Sequence, residues 1–230
     1  VSQSVVPRSG FRVLIIENHV LFAESLELAL GVEGYDARRV RLDDVAGAPG
    51  QLSSTLARLR PRMVLIGLDP GPLGQAARVV RTIAATGTPV VVVTSSPDRA
   101  TWGECVRLGA RQVVSKTRPL NDLLAVVRRL HHGLPVLQVS EREELLRLWQ
   151  EQRHDHEDLR RRLELLTTRE QEVLQGLMRG SLVRDIARES VVSEATVRTQ
   201  VKSILAKLGV SSQLSAVGIA HRVGWYSAVG

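Results

Sequence analysis

The sequence predicts an α/β domain with a five-stranded parallel sheet over residues 10–135 and an all-helical domain over 166–230, joined by a long helix over 140–165. Three observations predict this. Short apolar runs alternate with helix-periodic segments through the first 132 residues. A charge-dense stretch without Pro or Gly follows them. Short amphipathic segments, parted by glycine and polar turns, close the chain.

In order, Arg12–Ile16 (RVLII) reads as a buried strand. Val20–Val32 reads as a helix with Leu21, Phe22, Leu26, Ala29 and Leu30 on one side. A second strand spans Asp36–Leu42, and a short helix Leu52–Leu59 stops at Pro61. Met63–Leu68 (MVLIGL) is the third strand and Gly74–Ala85 a helix. Val90–Thr94 is the fourth strand, and the helix Arg99–Leu108 ends at Gly109. Gln112–Ser115 is the fifth strand and Leu120–His132 the last helix of the domain. Strand–helix repeats of this length imply right-handed crossovers and a sheet covered on both faces. The functional crevice of such a sheet lies at the carboxyl ends of its strands, here just after Ile16, Ile66 and Val93.

Gly133-Leu134-Pro135 ends that pattern. In the linker, Leu145, Trp149, Gln152, His156, Leu159, Leu163 and Leu166 are spaced 4-3-4-3-4-3, a coiled-coil seam with two polar members. The seam makes the first six candidates for homodimerisation. The alternative is one amphipathic connecting helix packed on its own domains. His154 and His156 are two apart on a helix and do not face the same way, so no metal site is expected.

In the last segment, Thr168 followed by Glu170 and Gln171 signals a helix start, and Val173, Leu174 and Leu177 supply a buried stripe ending at Gly180. Val183–Glu189 is a second short helix, with Ile186 and Ala187 inward. Ser193 is an N-cap candidate for a third helix that runs to Leu208 and stops at Gly209. Val197, Val201, Ile204, Leu205 and Leu208 form its apolar stripe, and Arg198, Gln200, Lys202 and Lys207 lie off it. Two helices joined by a short turn, the second with cationic and amide side chains outward, suit a DNA major groove. Arg matches guanine edges and phosphates, and Gln adenine edges.

The segment from Leu166 to about Ala220 resembles the LuxR-type (GerE-like) helix-turn-helix of NarL/FixJ response regulators. The resemblance rests on LTxREQEVL at 166–174, DIA at 185–187, VSEATVRTQV at 192–201 and ILAKLGV at 204–210. It implies a four-helix module whose third helix reads double-stranded DNA and whose fourth, about Gln213–Val223, often serves dimerisation. By matched position, Thr196, Arg198, Thr199, Gln200 and Lys202 are the candidate contacts. Members of the family commonly carry His where Gln200 stands, which leaves base preference open.

The front half resembles the receiver domain of the same family, a flavodoxin-like fold, in its five-strand pattern, in LFAESL at 21–26, and in Thr94 and Lys116-Thr117. That family pattern implies two acids after the first strand, an acceptor Asp after the third, Thr or Ser after the fourth and Lys after the fifth. The acids and the Asp hold Mg²⁺ through oxygen ligands. Here the acid pair is Glu17-Asn18, and the acceptor position, six residues after Pro61, is Gly67. Thr94 and Lys116 remain. Asp69, two residues beyond Gly67, is the candidate substitute acceptor, on the same face of a continued strand.

Composition bounds the rest. The chain has 230 residues, a formal charge of +7 and a pI of about 10.6, which favours an anionic partner. Residues 165–230 carry eight Lys/Arg and five Asp/Glu against 17 and 11 in residues 1–139, so charge alone does not mark the DNA segment. Cys105 is the only cysteine, which excludes an intrachain disulfide. No apolar run approaches a membrane span, and the first ten residues lack the apolar core of a signal peptide. The expectation is a cytoplasmic, homodimeric, DNA-binding regulator without cofactor or catalytic site. Its front domain is either a switch controlled by a small molecule, a protein partner or oligomerisation rather than phosphate, or a fixed dimerisation scaffold that leaves the protein always active. The rivals are a conventional regulator phosphorylated at Asp69 and an interaction module that does not bind DNA.

Overall fold

The computed structural model describes residues 7–47, 50–68 and 74–225. Asp69, the candidate substitute acceptor, lies outside the described residues. The chain divides into two compact units, 1–150 and 151–230.

In the first unit, runs of β-branched and aliphatic residues form strands β1 (Arg12–Ile16), β2 (Asp36–Val40), β3 (Met63–Leu68), β4 (Val90–Thr94) and β5 (Gln112–Ser115). All pairings are parallel, in the order β2-β1-β3-β4-β5. Alternating side chains feed two cores, as a strand period of two requires. Leu14, Ile16, Val64, Ile66, Val90 and Val92 fill one face. Val13, Ile15, Met63, Leu65, Val91 and Val93 fill the other. The second face is closed by α1 (Val20–Val32) and α6 (Leu120–His131) through Ala23, Leu26, Leu30, Leu123, Leu124 and Val127. The first is closed by α2 (Leu42–Ala46), α3 (Gln51–Leu59), α4 (Gly74–Ala85) and α5 (Arg99–Arg107).

Two details differ from the sequence reading. The second strand ends at Val40, and Leu42 opens α2, with Asp43 and Asp44 in its first turn, where acidic groups favour a helix N-terminus. On α1 the inward positions are Ala23, Leu26 and Leu30, whereas Leu21 is 70% exposed. The first helix of the C-terminal module begins at Thr168, as the sequence signals, and Thr167 is its N-cap.

Helix α7 (Val139–Glu164) runs through the division between the units. Leu145, near its start, is 1% exposed and belongs to the core of the first unit. Gly103 on α5 admits it: a Cβ there would collide with the Leu145 carbonyl. The Arg107 guanidinium lies 4.5 Å from the Trp149 ring centroid. Leu163, near the other end, is fully buried in the core of the second unit. The two ends of the expected seam are therefore occupied within their own units and are not open to a second chain. Heptad spacing marks a buried face, and here that face meets the chain's own cores.

The second unit packs α8 (Thr168–Met178), α9 (Val183–Glu189), α10 (Glu194–Leu208) and α11 (Gln213–Arg222) around Val173, Leu174, Ile186, Val197, Val201, Ile204, Leu208, Ala216 and Ala220. The Arg162 guanidinium donates to the Leu208 carbonyl at 3.2 Å, closing the C-terminus of α10, where Gly209 takes a φ of 69°.

Candidate nucleic-acid interface and front-domain crevice

Helix α10 starts at Ser193, whose hydroxyl accepts from the Thr196 amide at 3.1 Å. With about 100° between successive residues, Val197, Val201, Ile204 and Leu208 share the buried side. Thr199 and Lys202 lie opposite them, exposed, with exposed Arg198 on one shoulder. Arg198 and Lys202 are one turn apart and share a face. Gln200 is about 160° from Arg198 around the helix and half-buried, beside Thr196 on the other shoulder. The five candidates thus form two groups rather than one.

Their present partners are weak and local. An Arg198 nitrogen lies 3.4 Å from Glu194 Oε2, an exposed i,i+4 pair that a phosphate can displace at small cost. The Thr199 hydroxyl donates to the Ala195 carbonyl at 3.0 Å. The Thr196 hydroxyl sits 2.8 Å from the Ser193 hydroxyl.

The helix is fixed from behind by Glu170, which the sequence reading took only as a helix-start residue. Its carboxylate accepts from the Thr167 amide at 2.8 Å, the Ser203 hydroxyl at 2.5 Å and Lys207 Nζ at 2.6 Å. Lys207 also donates to the Leu165 carbonyl at 3.0 Å. Burial works to raise the Glu170 pKa, but the hydrogen bonds from Lys207, Ser203 and Thr167 outweigh it and hold the group at about 2. Ser203 and Lys207 therefore tie α10 to the start of α8. Lys207, read from sequence as one more outward cation, is a structural residue.

At the carboxyl end of the sheet, strand register brings Glu17, Gly67, Thr94 and Lys116 to one crevice: Ile16 pairs with Ile66, Gly67 with Val93, and Thr94 with Ser115. Glu17 reaches across from β1 over Gly67. A Cβ built on Gly67 would land on the Glu17 carboxylate. Lys116 Nζ lies 2.8 Å from Glu17 Oε2, and the two side chains are 15% and 1% exposed. The approach is ionic and off the hydrogen-bond direction, while the other carboxylate oxygen accepts from the His19 amide at 2.9 Å. Lys116 Nζ also stands 4.9 Å from the Phe22 ring centroid.

Two expected members of this crevice are engaged elsewhere. Asn18 exchanges two hydrogen bonds with Asp43 on α2, at 3.0 and 3.2 Å. Asp43 escaped the sequence reading because α2 did. The buried Thr94 hydroxyl accepts from the Ser96 amide at 3.1 Å. Among the described residues no group of three or more His, Cys, Asp or Glu is arranged to hold a metal ion. No single helix among them is long and apolar enough to cross a membrane.

Residues 164–220 match the family model of bacterial regulatory proteins, luxR family. The C-terminal unit is a LuxR-type DNA-binding module. Along most of its length the chain is similar to the transcriptional regulatory protein YdfI of Bacillus subtilis (strain 168), 26% identical over 214 residues, 93% of this chain and 96% of the relative. It is also similar to the transcriptional regulatory protein DesR of the same organism, 24% identical over 214 residues, 90% and 98% of the two chains. Among solved structures, a complex of the two-component response regulator RcsB with DNA matches at 22% identity and a TM-score of 0.48, covering 93% of this chain and 98% of that one. The LuxR-type module at the end of the chain, and relatives that are transcription regulators along nearly their whole length, make this chain a regulator rather than an enzyme.

Proposed function

We propose that the protein is a sequence-specific transcription regulator that binds double-stranded DNA as a homodimer in the cytoplasm, and whose front domain works without phosphorylation. Arg198, Thr199 and Lys202 on α10 meet the groove and its phosphates, while Thr196 and Gln200 address the opposite edge. The observation that carries phosphate independence is the crevice: the space above Gly67 is filled by the Glu17 carboxylate, already paired with Lys116. A carboxylate that is both placed and neutralised leaves no role for an added anion. Control of the front domain then falls to a small molecule, a protein partner or assembly.

With Leu145, Trp149, Leu159 and Leu163 engaged within their own units, dimerisation falls to the middle of α7 around the half-buried His156, or to the outward face of α11 around the exposed Leu214.

The test is genomic DNA capture with untreated protein and with Arg198→Ala/Lys202→Ala. Wild type is expected to enrich a recurring site. The double variant should bind that site at least about tenfold more weakly, with a shallower salt dependence. Pre-incubation with acetyl phosphate and Mg²⁺ should change nothing. Equal capture by both proteins would refute the α10 interface, and a requirement for acetyl phosphate would refute phosphate independence.

A further inference from the structure

Beside the crevice, α1 and α6 leave a cavity of about 200 Å³ at the ends of β4 and β5. Its apolar lining is Phe22 and Leu26 from α1, Val93 and Val114 from the strands, and Leu120 and Leu123 from α6. Lys116 forms one wall, and the exposed Ser25 and Arg118 stand at its edge. We propose that this cavity is a binding site for a small, neutral, ring-bearing molecule that acts on the Glu17–Lys116 pair.

Size and charge argue for that class. A dry apolar cavity of about 150 Å³ takes up benzene. The space of about 200 Å³ here therefore suits one ring with a few added atoms, or a fused pair of rings such as indole. Each charge at its wall has an opposite charge beside it. Lys116 faces Glu17 at 2.8 Å, and Arg118 pairs with Asp122 at 2.8 Å. The two hydroxyls are engaged as well: Ser25 donates to the Leu21 carbonyl at 2.8 Å, and Ser115 meets the Thr117 hydroxyl at 2.8 Å. An anionic ligand would enter against local neutrality and lose its hydration without a new partner. A neutral ring loses little and covers apolar surface.

Position supplies the consequence. Lys116 is at once a wall of the cavity and the cation that holds Glu17 above Gly67, and Phe22, under its ammonium, lines the same space. A guest here touches the crevice through one side chain. Its regulatory meaning rests on the proposed phosphate independence, but its binding does not.

The test uses the full chain with indole as the neutral probe and benzoate as its charged counterpart, followed by NMR chemical shifts of the Leu and Val methyl groups. Indole should bind saturably and shift the methyls of Leu26, Val114 and Leu123. Benzoate should bind at least about tenfold more weakly. Two variants plug the mouth from exposed positions, Ser25→Trp and Leu120→Trp. Whichever keeps the wild-type melting temperature should lose at least about tenfold in indole affinity. No saturable indole binding to wild type, benzoate binding as well as indole, or undiminished binding in a folded plugged variant would each overturn the proposal. Capturing genomic DNA with the same samples separates this failure from failure of the functional reading, since a chain that ignores indole yet captures its site without phosphate sinks the cavity alone.

Discussion

Glu17 in the first unit and Glu170 in the second are both buried carboxylates that meet a lysine, at 2.8 and 2.6 Å. Their surroundings differ. Glu170 also takes a backbone amide and a serine hydroxyl, so three donors from three positions hold it. Glu17 has one backbone amide and one ammonium, in a crevice where the neighbouring residue has no side chain. A carboxylate with a full set of donors is a rivet, whereas one held chiefly by a single cation responds to whatever moves that cation. The DNA-reading helix is tied down by the first kind, and the front domain carries the second.

That contrast can be broken at three points. The largest effect is expected for Lys116→Met, which leaves a buried carboxylate without its cation and should cost about 3–5 kcal/mol in urea unfolding of the first unit. A cost below about 1 kcal/mol would show that Glu17 does not depend on Lys116.

Next comes Glu170→Gln. The Glu170 pKa is held at about 2, below its ordinary 4.5, so its contribution is complete above pH 4.5 and drains away as pH falls toward 2. Linkage puts that contribution at about 3 kcal/mol near neutrality. Melts of wild type and variant at several pH values should differ by about that amount at pH 6 and converge near pH 2. A gap that does not change with pH would mean that packing, not charge, is what Glu170 supplies.

The smallest effect is that of Gly67→Ala. The added methyl meets the Glu17 carboxylate and should cost about 1–3 kcal/mol. Combined with Glu17→Ala the two losses should sum to less than their separate values, because the second change opens the space the first needs. Strict additivity in that double-mutant cycle would place Glu17 away from Gly67.

Much of this was legible in sequence because it is local. The valine run after Pro89 gave β4 its start, and Ser193 before a 3.6-period stripe gave α10 its start. Thr168 marked the start of α8, and the capping box just before it pairs Thr167 with Glu170, the acid three residues on. Helix α2 was lost because Leu42 continues an apolar alternation as well as it opens a helix. The rivet was not legible at all: Ser203 and Lys207 lie 33 and 37 residues from Glu170, and no periodicity links them. Nor was the closure over Gly67, which depends on how β1 is registered against β3. The heptad in α7 shows the limit of pattern reading, for it identifies a face that is buried and not what buries it.

The carboxylate at 17 and the bare backbone at 67 share one volume. A side chain at 67 meets the Glu17 carboxylate, the far end of a flexible side chain that must swing aside to admit it. Any such swing also moves the carboxylate that lies 2.8 Å from Lys116 Nζ. The occupancy of that one volume therefore couples the residue at 67 to the ion pair behind it.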